Sequence, residues 1–363
     1  MRIIHCADIH VDSKMESHFS KEQADDRRKE IVDTFSSMVQ FAKKNDVKVI
    51  IIAGDLFDTK TSQQKSIKKR ISYIISQNPE IDFLYLRGNH DEDVDFAMDE
   101  DIPNLKRFSK DKWICYSYEN INIYGHEFGK NIPVSSYSQL ALDSSKFNIV
   151  TLHGQIAEYE AKDGAPVISL PHLTNKNIDY IALGHIHDYK TEKLDSRCSW
   201  CYSGCLAGRD FSKGEFGEKG FVLLDITDKL STKFIPMSQR KIHEIYVNLN
   251  GTMSYNEIMT AISRKVESIP SKDIVQVNLV GEISEETEIE EDSYQDSLKS
   301  TYNFYFIRVK NNTKPKIDYA KYERDISLKG EFIRLVKSQN DLSDDEKSKI
   351  IITGIKALSG RLE

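Results

Sequence analysis

Five short apolar runs, each broken off abruptly by a polar or glycine-containing motif, constrain this chain more than any other feature of it. Arg2 to Cys6 runs into Asp8-Ile9-His10, Val47 to Ala53 into Gly54-Asp55, and Phe83 to Leu86 into Gly88-Asn89-His90-Asp91. Ile149 to Leu152 is followed by His153-Gly154, and Tyr180 to Leu183 by Gly184-His185-Ile186-His187. Runs of this kind predict buried strands. Between the first two, over Gln23 to Asn45, the residues Ile31, Phe35, Met38, Val39 and Ala42 recur at spacings of three and four, which predicts a helix. Strands that alternate with helices imply an α/β fold with a largely covered sheet, in which ligands gather where strands end. All five motifs stand at such ends.

The five motifs also supply one kind of chemistry. Hydrolysis of a phosphodiester needs a nucleophile at neutral pH, charge neutralisation on the phosphoryl oxygens and a stabilised leaving oxygen, and two adjacent divalent ions supply all three. Asp8 and His10 lie one residue apart, so on an extended segment both side chains emerge on one side and can grip one ion. Asp55 follows a glycine at a strand end, which lets the backbone turn sharply and makes its carboxylate the natural bridging ligand. His185 and His187 repeat the Asp8/His10 spacing, Asn89 offers a neutral oxygen and His153 a further imidazole. Such a nitrogen and oxygen set suits manganese, iron or zinc better than calcium. His90 reads as an outer group that protonates the leaving oxygen, with Asp91 able to orient its ring and Asp58 able to orient another ligand.

Composition narrows the setting. With 363 residues, 39% hydrophobic and 29% charged, the chain falls in the ordinary globular class and has room for one large domain with smaller appendages. Its N-terminus reaches charged residues too early for a signal sequence and no long apolar run follows, so a cytoplasmic location without membrane association is expected. Five irregularly spaced cysteines make no disulfide framework. Cys198, Cys201 and Cys205 lack an evident fourth partner for structural zinc and read as hairpin positions. The net charge of −7 argues against coating nucleic acid by bulk attraction, so any DNA contact has to be local.

Beyond the motifs, glycines from Gly204 to Gly220 and the run Phe221 to Ile226 read as strands and turns that close the first domain. A second unit begins near Lys241, with strands at Ile242 to Leu249, Ile274 to Val280 and Phe304 to Val309 and a helix at Tyr255 to Val266. An acidic stretch, Glu282 to Asp296, holds eight acids and no Lys or Arg, and reads as a solvated loop running into a short helix. Two further helices are predicted at Leu328 to Ser338 and Asp344 to Leu358, the second with a capping box at Ser343 and Glu346. The expected domains are 1–240, 241–315 and 316–363. Basic residues cluster at Lys60, Lys65, Lys68, Lys69 and Arg70, where a solvated helix face and a guide for DNA are both open readings.

The succession Asp-x-His, Gly-Asp-x-x-Asp (Gly54 to Asp58), Gly-Asn-His-Asp, His-Gly and Gly-His-x-His resembles the calcineurin-like metallophosphoesterases over roughly residues 1 to 225. Gly54-Asp55-Leu56-Phe57-Asp58 and Ala182 to His187 are similar to the SbcD-type nucleases, and His5 to Ser13, Gly208-Arg209 and Gly217 to Gly220 to the YhaO branch. The resemblance implies a β-sandwich flanked by helices, a small α+β capping domain and a C-terminal helical tail. It implies one ion on Asp8, His10, Asp55 and His187 and another on Asp55, Asn89, His153 and His185, with His90 and Asp58 catalytic. It further implies manganese, 3'-5' exonuclease and endonuclease action on DNA in repair or recombination, a homodimer, and an SbcC-like coiled-coil ATPase bound through the tail. The rival reading is a phosphodiesterase or phosphatase for small nucleotides or phosphoproteins, because one metal cage serves all of these.

Overall fold

The strands expected from the apolar runs form, and neighbouring ones run parallel. The computed structural model describes residues 1–58, 64–90, 102–129, 132–156, 165–212, 214–284, 287–316, 322 and 324–358. In it β1 (Arg2–Cys6) pairs with β2 (Val47–Ala53), β2 with β3 (Asp82–Leu86) and β3 with β4 (Leu105–Arg107), all in parallel. Helices α1 (Lys21–Lys44) and α2 (Gln64–Ser76) make the crossovers. Ser20 starts α1 through a reciprocal capping box with Gln23, and its buried Phe35 packs on Phe83 of β3 with ring centroids 6.5 Å apart.

A second sheet follows from β5 (Ile114–Tyr118), β6 (Ile121–Gly125) and, after the short α3 (Val134–Ser138), β7 (Phe147–His153). A two-stranded pair, β8 (Gln155–Ile156) and β9 (Val167–Ile168), precedes β10 (Tyr180–Gly184), β11 (Lys190–Lys193) and β12 (Ser199–Tyr202), giving the order β11-β12-β10-β7-β6-β5. The chain then returns to the first sheet with β13 (Gly220–Ile226) and β14 (Leu230–Pro236), antiparallel beside β1. The order there is β14-β13-β1-β2-β3-β4.

The two sheets face each other. Val49, Ile51 and Leu84 of the first share one buried cluster with Ile123, Ile149 and Ala182 of the second. The outer face of the second sheet, with Val150, Leu152, Ile181 and Leu183, is buried in turn beneath Tyr137, Ile168 and Leu173. Strands covered on both faces have no solvent side to mark with polar residues, which is why they read as unbroken apolar runs. The result is the expected sandwich flanked by helices.

The chain divides into two compact units, Met1–Ile242 and His243–Glu363. The second unit is built on β15 (Ile242–Gly251), α4 (Tyr255–Val266), β16 (Ile274–Ser284), α5 (Glu291–Tyr302), β17 (Phe306–Asn311) and β18 (Lys314–Lys316). Ile258, Ile262 and Val266 of α4 and Leu298 of α5 pack against Val275, Val277 and Leu279 of β16. The acidic stretch is less of a loop than expected. Glu282 to Ser284 lie in β16 and pair with Lys314 to Lys316, so opposite charge offsets this end of the acidic run. Helices α6 (Leu328–Lys337) and α7 (Asp344–Leu358) join through Ile333, Val336, Ile351 and Ile355, and Ser343 and Glu346 form the capping box. Among the described residues no helix is long and apolar enough to cross a membrane.

Candidate metal centre

The five motifs converge at the C-terminal ends of β1, β2 and β3 in one sheet and of β7 and β10 in the other. Past their strands, β1 and β2 continue to pair: Ile9 and His10 donate their backbone N–H groups to Asp55 O at 2.8 and 3.0 Å. Close approach of the strand ends, within and between the sheets, depends on glycine. A Cβ on Gly184 would lie 1.9 Å from Ala53 O, and one on Gly88 would lie 2.1 Å from Asp55 Oδ1. Asp8, His10, Asp55 and His185 adopt positive φ of 51°, 47°, 52° and 105°, conformations that L-residues hold only when their surroundings over-determine them.

Three groups of side chains come within metal-binding reach of each other: Asp8 with His10 and His187, Asp8 with Asp55 and His153, and His10 with Asp58 and His90. Asp8 is fully buried and its carboxylate accepts the His185 backbone N–H at 2.8 Å, which ties the first strand end to the fifth. The Asp55 Oδ2 atom stands 3.3 Å from His153 Nε2 and 3.7 Å from His10 Nε2, midway between two imidazoles, while Oδ1 accepts the His90 backbone N–H at 3.0 Å. Asn89 reaches His153 Nε2 at 3.0 Å through its side-chain oxygen. His185 lies edge-on to His153, with ring centroids 5.7 Å apart. The geometry therefore gathers all seven side chains expected to hold metal.

The donor set fits divalent cations. Both ring nitrogens of His10 are buried, and their nearest acceptors, Asp58 Oδ1 at 3.4 Å from Nδ1 and Asp55 Oδ2 at 3.7 Å from Nε2, leave neither with a well-formed hydrogen bond. His153 donates its Nδ1 proton to Ala53 O at 2.9 Å, so its Nε2 faces the Asn89 and Asp55 oxygens, where only a proton or a metal ion on that nitrogen satisfies the contact. A divalent cation can take the place of that proton, with the imidazole nitrogen and both oxygens as its donors. Burial pushes the Asp8 carboxyl up to about 6 and the His10 imidazole down to about 4. Burial also disfavours charge on Asp55 and on His153, yet their mutual attraction wins, holding Asp55 well below the carboxylate range and raising His153 to about 10. The field at this point favours positive charge.

At the mouth stands His90, with 42% of its side chain exposed, its Nδ1 3.0 Å from Asp58 Oδ1. The hydrogen bond to Asp58 raises the His90 pKa above the ordinary histidine value. Asp58 is itself held by Asp12, whose carboxylate accepts the Asp58 backbone N–H at 2.6 Å. Asp58 thus stands where Asp91 was expected to orient the ring; Asp91 lies outside the described residues.

A calcineurin-like phosphoesterase profile matches residues 1–189. The chain belongs to the calcineurin-like phosphoesterase family. Members of this family use a dinuclear metal site, and the groups just described are candidate ligands for one. Across nearly its whole length this calcineurin-like phosphoesterase is similar to a DNA double-strand break repair protein Mre11 of Saccharolobus solfataricus, at 26% identity over 97% of this chain and 93% of that protein. It is 27% identical to the uncharacterized metallophosphoesterase YhaO of Bacillus subtilis, over 75% and 68% of the two chains. The SbcD component of the nuclease SbcCD from Staphylococcus epidermidis is 23% identical over 68% and 72%. These relatives bear out the resemblance to SbcD and YhaO read from the sequence.

Behind His187 stand residues that were not among the site candidates legible in the sequence. Glu215, 1% exposed, accepts the His187 Nδ1 proton at 2.7 Å, and Arg209 is bound to the same carboxylate. Lys219, also buried, donates to His187 O at 3.0 Å. Arg209 and Lys219 fall inside the two short stretches similar to YhaO, whereas Glu215 is a lone acid in a glycine-rich turn and carries no signal of its own. The three nearby cysteines are free and buried, with burial pushing Cys198 up to about 12 and Cys201 to about 11. The other histidines have partners elsewhere: His5 hydrogen-bonds Tyr180 and Leu183, His243 meets Asp273 at 2.9 Å, and the rings of His18, His126 and His172 lie against Phe211, Phe128 and Tyr137.

Proposed function

We propose that this chain is a manganese-dependent DNA nuclease subunit that hydrolyses phosphodiesters at 3' ends and internally, in a complex with an SbcC-like coiled-coil ATPase, in repair or recombination. The observation that carries the hydrolytic reading is the convergence, beside the Asp58–His90 pair, of Asp8, His10, Asp55, His153 and His187 within metal-binding reach, with Asn89 and His185 against His153. Asp8, His10, Asp55 and His187 would hold one ion, and Asp55, Asn89, His153 and His185 the other. When bound, such a pair supplies a nucleophile at neutral pH and neutralises the phosphoryl oxygens.

The chain's own part is to orient and to move a proton. Asp58 fixes the His90 ring and favours its protonated form, and His90 reaches out of the site to protonate the leaving oxygen. DNA as substrate is supported by the relatives named Mre11 and SbcCD, one of them similar over almost the full chain. Docking of an ATPase coiled coil through the tail is supported by apolar side chains that α6 and α7 leave uncovered, Leu328 at 68% and Leu335 at 61% exposure among them. A homodimer working in the cytoplasm completes the proposal.

Net charge favours the second reading, a phosphodiesterase or phosphatase for small nucleotides or phosphoproteins, since a chain at −7 attracts polyanions poorly. An activity screen separates the two: manganese-supplied protein with single-stranded, double-stranded and hairpin DNA and with small phosphodiesters. The nuclease reading expects DNA to be the best substrate, with His90→Ala lowering turnover by about 10²- to 10⁴-fold. Preferential turnover of a cyclic nucleotide, with no DNA form cut, would replace it by the second.

A further inference from the structure

We infer that Glu215 is a positioning residue for the metal centre: its buried carboxylate fixes which nitrogen of His187 faces the ions, and Arg209 ties that carboxylate to Asp58. The inference rests on the metal-dependent reading of the site and adds to it a support that none of the strand-end motifs contains.

What each atom can donate fixes the position of the proton. Glu215 Oε1 lies 2.7 Å from His187 Nδ1 and accepts from Arg209 Nε and Nη2 at 3.1 and 2.8 Å. Oε2 accepts the Arg209 backbone N–H at 2.8 Å and the Cys205 thiol at 3.6 Å. A carboxylate that pairs with a guanidinium is ionised and can only accept, so the proton between Glu215 and His187 belongs to Nδ1. Arg209 Nη2 also comes within 3.4 Å of Nδ1, but a nitrogen already carrying its proton toward Glu215 has no electron pair to offer there. A ring nitrogen of His187 lies within metal-binding reach of Asp8 and His10, and with Nδ1 engaged by Glu215 the one left to ligate is Nε2.

Why Glu215 holds this position follows from the turn around it. Gly214 has φ of +90° and Gly217 of +81°, so the turn uses conformations open to glycine. Lys219, 3% exposed, donates to both His187 O and Gly214 O and pins the turn against the His187 backbone. On its far side Arg209 Nη1 stands 3.6 Å from Asp58 Oδ2, while Asp58 Oδ1 meets His90 Nδ1 at 3.0 Å. One chain of charged contacts thus runs from a metal-competent imidazole to the histidine at the mouth. A carboxylate on the outer nitrogen of a ligating histidine fixes its tautomer and raises its basicity, and losing it typically costs about 10–100-fold in metal affinity.

The test is cobalt(II) binding to the full chain, followed by visible absorption, in the natural protein, Glu215→Gln and Arg209→Gln, with far-UV circular dichroism as the check on folding. Glu215→Gln is expected to lose about 10–100-fold in affinity at one of two sites and little at the other. Arg209→Gln is expected to bind both ions but to hydrolyse a small phosphodiester more slowly. Two sites of natural affinity in folded Glu215→Gln would overturn the inference and reduce Glu215 to a structural ion pair. Should Glu215→Gln not fold, imidazole ¹⁵N spectra of the zinc-loaded natural protein decide, with the His187 signal assigned by its loss in His187→Gln. A proton on Nδ1 is expected, and one on Nε2 would overturn the inference. Failure of the natural protein to bind two ions would instead sink the metal reading on which it rests.

Discussion

Asp8, His10, Asp55 and His185 stand on backbone that costs on the order of 1–3 kcal/mol apiece to hold. The Asp8 carboxylate against the His185 amide and the Asp55 carboxylate against the His90 amide show what offsets that cost: side chains that bind backbone across strand ends. His5 shows the same economy in the core. Its Nε2–H donates to Leu183 O while Nδ1 accepts from Tyr180, an arrangement only the neutral ring can make. Burial lowers its pKa to about 3 from an ordinary 6.5, so between those values the unfolded chain binds a proton that the folded chain does not. Stability from this residue is therefore complete above about pH 6.5 and is lost as pH falls below it, by up to about 1.4 kcal/mol per pH unit. Urea denaturation between pH 7.5 and 5 is expected to show a shallower pH slope in His5→Gln than in the natural chain; equal slopes would refute this.

At the level of elements, the parallel strands β1, β2, β3, β7 and β10 were legible because each is covered on both sides and ends in a functional turn. β5 was not, because as an edge strand it is buried only in alternation and mixes Cys115, Tyr116 and Ser117 into its five residues. The same logic divides the site. Ligand candidates at strand ends carry a local signature in the apolar run before them, whereas Glu215 gains its role from His187, 28 residues away, and Arg209, six away. Only packing brings them together. The elements also predict where small size is indispensable. Gly184→Ala places a methyl group against Ala53 O at the junction of the two sheets and is expected to destabilise the fold by about 1–3 kcal/mol, read from the urea midpoint. An unchanged midpoint would show that the strand ends have room to separate.

For the whole molecule, the division of labour follows the division into units. The candidate metal centre is built wholly within Met1–Ile242, while the exposed apolar residues of α6 and α7 belong to His243–Glu363. Removing residues 326–363 is therefore expected to abolish co-purification with an SbcC-like ATPase and to leave manganese-dependent hydrolysis of a small phosphodiester within a few-fold of the natural chain. Retained co-purification would show that the tail helices serve their own unit alone. Both rival functions, nuclease and small-molecule phosphodiesterase, share the same central claim, that two ions sit on seven residues with Asp55 common to both. Calorimetric titration of manganese into the metal-free full chain tests it most directly. Two ions per chain are expected, with both sites weakened together by Asp55→Ala; a single ion, or two whose affinities ignore that substitution, would contradict the account.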